Sequence, residues 1–147
     1  MKTATFFTLI VFFILSLQAS AIDPGADEIL GMWLNHEKDA HIEVYKCEDT
    51  FCGKIVWLKN PNEDGAPKKD KHNPDDTSKS NPILGLDMLS GFSYKGNKKW
   101  DDGKIYNPRE GKTYSCYLNI KDDGSLKVRG FIGLSIIGKT NYWTRVK

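Results

Sequence analysis

Gly31-Met32-Trp33 and Trp143-Thr144-Arg145 stand close to the two ends of the chain that follows an apolar leader. Between them run short alternating segments with turn residues at almost every break. A Gly-x-Trp in the first strand and an arginine in the last suit a closed antiparallel barrel. The indole plugs the base and the guanidinium covers its face. On this reading Trp33 and Arg145 are structural residues that close the barrel, and a functional element belongs in the interior or at the opposite mouth.

Outward from these anchors, period-two alternation recurs and helical periodicity is nearly absent. Strands are predicted over Gly31 to Asn35, His41 to Cys47, Gly53 to Leu58, the C-terminal part of Ile83 to Phe92, Lys98 to Tyr106, Lys112 to Lys121, Ser125 to Ile132 and Lys139 to Val146. Asp122-Asp123-Gly124 and Asn107-Pro108-Arg109-Glu110-Gly111 are the clearest turns, because glycine takes positive φ and proline presets a turn. About eight strands at regular spacing predict an all-β fold, an antiparallel up-and-down β-barrel. The connection 59–82 interrupts the pattern. Asn60 to Asn81 holds three of the six prolines and almost nothing apolar. It reads as a flexible solvated loop or, alternatively, as a lid or partner-binding loop.

Residues 1–21 read as a signal peptide: Lys2, a nearly continuous apolar run from Phe6 to Leu17, then Ala19-Ser20-Ala21. That run is short for a membrane span of about 20 residues, and the first cysteine is Cys47, so neither a stable membrane anchor nor a lipid anchor is expected. The expected location is exported, periplasmic or secreted. Residues 22–147 suffice for one domain. The formal charge of +2 falls to about +1 without Lys2, with both signs interspersed, which argues against a nucleic-acid partner. Lys95, Lys98, Lys99 and Lys104 are offset by Asp101 and Asp102 and read as a solvated hairpin.

In an oxidising compartment Cys47 and Cys52 are placed to form a disulfide across a hairpin, provided their Cβ atoms lie about 4 Å apart. Cys116 shares a face with Tyr114, Leu118 and Ile120 and is expected to be a buried small hydrophobe.

No catalytic constellation emerges. Asp75-Asp76, Asp101-Asp102 and Asp122-Asp123 are sequence neighbours, and neighbours in a strand point to opposite faces. His36 and His41 with Glu37, Asp39 and Glu43 match no established metal spacing. Gly133 to Gly138 is one residue too long for a nucleophile elbow and joins two strands. Catalytic residues, metal and cofactor are therefore none. The aromatics are the richest resource, and Tyr45, Trp57, Trp100 and Tyr114 are candidate ligand-wall residues. Arg129, opposite in phase to Leu126 and Val128, is expected to face outward, in a surface ion pair or as a rim contact for an anionic ligand.

Several segments together resemble the bacterial DUF2147 domain family. They are Gly31-Met32-Trp33, Cys52-Gly53-Lys54-Ile55-Val56-Trp57-Leu58, Gly103-Lys104-Ile105-Tyr106-Asn107-Pro108 with Gly111-Lys112-Thr113-Tyr114, Asp123-Gly124-Ser125-Leu126-Lys127-Val128-Arg129-Gly130, and Trp143-Thr144-Arg145. The resemblance implies a lipocalin-like (calycin) barrel, an exported location and a small hydrophobic or amphipathic ligand. It brings no catalytic residues. The resulting expectation is a monomeric binder or carrier. Its alternatives are an interaction module with a filled barrel, which would grip a protein or polysaccharide through the 59–82 loop, and, last, an envelope hydrolase.

Overall fold

Alternating inward and outward side chains build eight strands that close on themselves in the computed structural model, which describes residues 23–147. The expected leader, residues 1–21, lies outside the described residues. The barrel strands are β1 (Gly31–Leu34), β2 (Ala40–Cys47), β3 (Thr50–Leu58), β6 (Asp87–Tyr94), β7 (Lys99–Asn107), β8 (Lys112–Ile120), β9 (Leu126–Phe131) and β10 (Gly138–Arg145). Their order around the barrel is β1-β10-β9-β8-β7-β6-β3-β2, and every adjacent pair is antiparallel. Two short strands, β4 (Asn62–Glu63) and β5 (Ala66–Pro67), make a separate hairpin inside the β3–β6 connection. Closure removes the exposed edges that an open sheet would present.

The barrel has a filled end. A six-residue 3₁₀ helix, Pro24–Ile29, begins at Asp23, whose carboxylate accepts from the Gly25 N–H. The helix lies across the base and offers two carbonyls to indoles. Trp33 Nε1 donates to Ile29 O at 2.9 Å, and Trp100 Nε1 donates to Ala26 O at 3.2 Å. Both tryptophans are fully buried, packed with Phe51, Phe92, Leu118 and Leu126. Each such side chain contributes roughly 1.5–3 kcal/mol by leaving water, so this end carries much of the fold's stability.

The seal has the predicted form. Trp33 and Arg145 are register partners, and the guanidinium sits 4.2 Å from the indole centroid. Arg145 also donates to Leu30 O at 2.9 Å and to Glu28 O, tying the last strand to the plug. Gly31 makes this approach feasible: its φ is +115°, and a Cβ there would lie 3.3 Å from Arg145 Nη1.

The β2–β3 hairpin turns on Glu48-Asp49, tighter than expected, because β3 begins at Thr50 and not at Gly53. Cys47 faces Thr50 and Cys52 faces Tyr45 across the ladder, so the Cys47–Cys52 disulfide runs diagonally, with its Cα atoms 5.8 Å apart. The basic hairpin at 95–104 is ion-paired, Lys95 with Asp102 and Lys99 with Asp101. Among the described residues no helix is long and apolar enough to cross a membrane.

The 59–82 connection is folded. Asp70 is wholly buried within it. Its carboxylate accepts from Tyr106 Oη at 2.8 Å and from Asn73 Nδ2 at 2.7 Å, and its N–H donates to Asn81 O. Lys69 bridges to Pro82, and Ile83 N–H returns to Lys68 O. Gly111 in the β7–β8 turn has φ +65°, and a Cβ there would collide with His72 O at 1.8 Å. The loop therefore leans directly on that turn. The expectation of a flexible loop fails because polar composition conceals a buried carboxylate that holds the loop to β7.

Candidate ligand-binding site

The opposite end is open. A cavity of about 850 Å³ occupies this half of the barrel, within the range of small-molecule pockets. Trp143, nearly fully buried, lies at its inner end. Ile42, Ile55, Leu58, Ile105, Val128 and Gly130 form its apolar wall. Higher on the wall, Asn141 and Lys139 share the face of β10 that carries Trp143, so its inner surface turns from apolar to polar on the way out.

Four connections build the rim: the β1–β2 loop, the folded 59–82 segment, the β7–β8 turn and the β9–β10 loop. The β1–β2 loop is held by Asn35, whose side-chain Oδ1 accepts from the N–H groups of Asp39 and Ala40. Asp39 in turn pairs with Arg109 of the β7–β8 turn. Strands β1–β2 and β7–β8 lie on opposite sides of the barrel order, so this ion pair spans the mouth. It is solvent-exposed, and such pairs are worth about 0–1 kcal/mol; it is a strap that parts easily.

Lys71 pairs with Glu63 at 2.9 Å and pulls that carboxyl below its ordinary value. Glu110 accepts from Tyr114 Oη, which raises the phenol's pKa. Among the described residues Lys68, Lys69 and Lys139 have no carboxylate partner, and all three line the cavity. Glu37 and Glu110 line the same mouth without a cationic partner among the described residues, accepting from Asn35 Nδ2 and Tyr114 Oη. The charge left unpaired at the rim is thus three lysines against two carboxylates, a small cationic excess.

Of the residues chosen from sequence as ligand wall, Tyr114 lines the cavity. The other three, Tyr45, Trp57 and Trp100, do not. Trp57 has the same parity as the inward Ile55, yet a bulge intervenes: Ile42 faces Ile55 while His41 faces Trp57, leaving Val56 without a partner. The extra residue rotates Trp57 to the outer surface, where it is 41% exposed and stacks on His41 at 4.4 Å between ring centroids. Tyr45 is on the outer face of β2, donating to Asp87 at 3.0 Å beneath Lys54. Trp100 points inward but at the filled end, against Tyr94 and Phe51.

Arg129 faces outward as expected, but neither in an ion pair nor at the cavity. It donates to the carbonyls of Ser135 and Ile136 and to Thr140 Oγ1, all at about 3 Å. Cys116 lies inside the barrel, and burial pushes its thiol up to about 12. Besides the rim lysines, the residues that sequence reasoning missed are small or aliphatic: Ile42, Ile55, Ile105, Val128 and Gly130. Their inward alternation was legible; which of them border empty space was not.

Comparison with known proteins agrees with this geometry. The DUF2147 profile, described as an uncharacterized protein conserved in bacteria, matches residues 31–145. The chain belongs to the DUF2147 family. Among solved structures it is similar to protein HP1028 from the human pathogen Helicobacter pylori, described as belonging to the lipocalin family. That match has a TM-score of 0.71 and 26% identity over 80% of this chain and 82% of the other. No protein of curated function matches. The DUF2147 barrel here is thus lipocalin-like in its closure and its strand number.

Proposed function

We propose that this protein is an exported binder or carrier of a small amphipathic molecule held in the open half of the barrel. The observation that carries the reading is the cavity of about 850 Å³, with apolar walls, a tryptophan at its inner end and a polar mouth. An apolar body would bury against Ile42, Ile55, Ile105 and Val128, gaining about 0.8 kcal/mol per methylene. A polar end would remain among Lys68, Lys69 and Lys139, which favour an anionic group. Export is supported by the residue 1–21 leader and by the Cys47–Cys52 disulfide, a bond that persists in oxidising compartments.

The test is displacement of a fluorescent fatty acid from the purified protein, joined to native mass spectrometry of protein taken from its own host. Saturable binding with an environment-shifted emission, or a retained small molecule, supports the reading. A protein that carries nothing and binds no apolar probe sinks it.

A further inference from the structure

The β9–β10 connection carries a surface that ligand binding inside the barrel does not need. Ile132, Leu134, Ile136 and Ile137 stand 67%, 67%, 79% and 63% exposed on one loop. Scattered exposed aliphatics are ordinary, but a contiguous group on one tip marks an interaction site. The apolar surface is continuous with the cavity, because Ile132 and Ile137 also line it.

The loop's backbone is arranged to leave water. Ser135 O accepts from both Arg129 Nε and Nη2, and Ile136 O accepts from Nη2. Ile137 N–H donates to Leu134 O, and Ile132 N–H donates to Ile137 O. Unpaired carbonyls are costly in an apolar medium; here Arg129, itself outside the barrel, supplies the partners. Arg129 therefore both stiffens the loop and hides its polar groups. Lys139 follows the loop directly, and Lys68 and Lys69 share the same rim, all three without carboxylate partners among the described residues.

We propose that the Ile132–Ile137 loop is a docking finger that enters the interfacial layer of an anionic lipid bilayer and brings the cavity mouth against it. Aliphatic side chains beside lysines match the two-part chemistry of such a surface, apolar burial plus attraction to anionic headgroups. A second copy of the chain fits less well. A protruding tip of four side chains offers a few hundred Å², short of the roughly 800 Å² per partner in a stable dimer. The finger also rests on the carrier reading in one respect: it names the lipid surface as the place where the ligand is exchanged.

The test is flotation of the purified protein with vesicles of phosphatidylglycerol mixed with phosphatidylcholine, and with phosphatidylcholine alone. Wild-type protein should float with the anionic vesicles, less so as salt rises. Leu134→Asp combined with Ile136→Asp should cut that binding by about tenfold or more, with an unchanged melting temperature. Both positions lie outside the cavity lining, so fatty-acid probe binding in solution should persist in the variant. An Ile136→Trp variant gives a direct readout, a blue-shifted emission when anionic vesicles are added.

Failure of wild-type protein to float, equal flotation of the double variant, or no emission shift would overturn the docking proposal. So would a concentration-dependent dimer that the double variant abolishes, since a second copy would then cover the finger. Docking without any probe binding would refute the carrier reading and leave the finger standing; probe binding without docking would do the reverse.

Discussion

Gly130 offers the sharpest test of where the ligand sits. It lies in β9 on the same face as Leu126 and Val128 and lines the cavity. A Cβ built there would meet Ile105 Cγ2 at 3.5 Å and Tyr114 Cβ at 3.8 Å, ordinary van der Waals contacts. The backbone lies outside the left-handed region, so a larger residue is accepted without strain. Gly130→Leu should fold at least as well as the parent, because replacing a strand glycine recovers about 0.5–1 kcal/mol of backbone entropy.

What changes is the space. The leucine side chain fills room that would otherwise take roughly four methylenes of a bound chain, each worth about 0.8 kcal/mol. A ligand long enough to fill the cavity therefore loses about 3 kcal/mol, or roughly a hundredfold in Kd. A ligand shorter by that length should hardly notice. The assay is probe displacement by a homologous series of fatty acids against both proteins, with thermal melts alongside. Unchanged affinity for the longest competitor, in a variant that melts normally, would refute placement of the ligand in the barrel. An equal loss for long and short competitors would show distortion of the site in place of occlusion.

Four further outcomes follow from the same geometry. Tyr106→Phe leaves the wholly buried Asp70 carboxylate without its phenol donor and should cost about 1.5–3 kcal/mol; trypsin should then cut at Lys68, Lys69 or Lys71 much faster, and unchanged proteolysis would show that this bond does not hold the loop. Burial, first, raises both the Tyr106 phenol (helped by Asp70) and the Cys116 thiol to about 12, above their ordinary 10.0 and 9.0. Stability from their neutral forms is thus complete below about pH 9 and is lost as pH climbs toward 12, which melts across that window will show. A native Cys116 that reacts at once with a thiol reagent near pH 8 would contradict its burial. Trp57→Ala should leave probe affinity and stability nearly unchanged, whereas Trp100→Ala should cost about 3–5 kcal/mol, as denaturant titration will reveal. Arg109→Ala removes the strap to Asp39, so stopped-flow should find probe association and dissociation both faster with little change in Kd; slower association would place Arg109 in ligand recognition.

The barrel was legible because its rules are local. Alternation and turn glycines depend on neighbouring residues. The Trp33–Arg145 pair, though it joins the first strand to the last, is marked by residue types near the two ends; all survive in the structure. The site was harder to read for two physical reasons. A bulge is a single unpaired residue, Val56, with no compositional mark, yet it reverses Trp57 from inside to outside. The order of the 59–82 segment hangs on Asp70 meeting Tyr106, 36 positions away, and no periodicity announces such a pair. Arg129 was placed on the correct face by alternation, but its partners are backbone carbonyls of a loop whose shape the sequence does not display.

The cavity itself follows from where the inward side chains become small or polar along the barrel axis. On β9 the inward residues run Leu126, Val128, Gly130 from the filled end to the mouth, and on β2 they run Val44, Ile42, Ala40. On β10 the sequence is Trp143, Asn141, Lys139. At the filled end Gly103 works the other way, since a Cβ there would strike the Phe92 ring at 2.4 Å. The missing side chain on β7 lets a large one on β6 occupy the axis. Twelve or so aromatics could have filled a barrel of this size. They do not, because Trp33, Phe51, Phe92 and Trp100 are concentrated at one end and Tyr45, Trp57 and Tyr142 are spent on the outer surface. The remaining inward positions are too small to meet across the axis, and the cavity is what they leave.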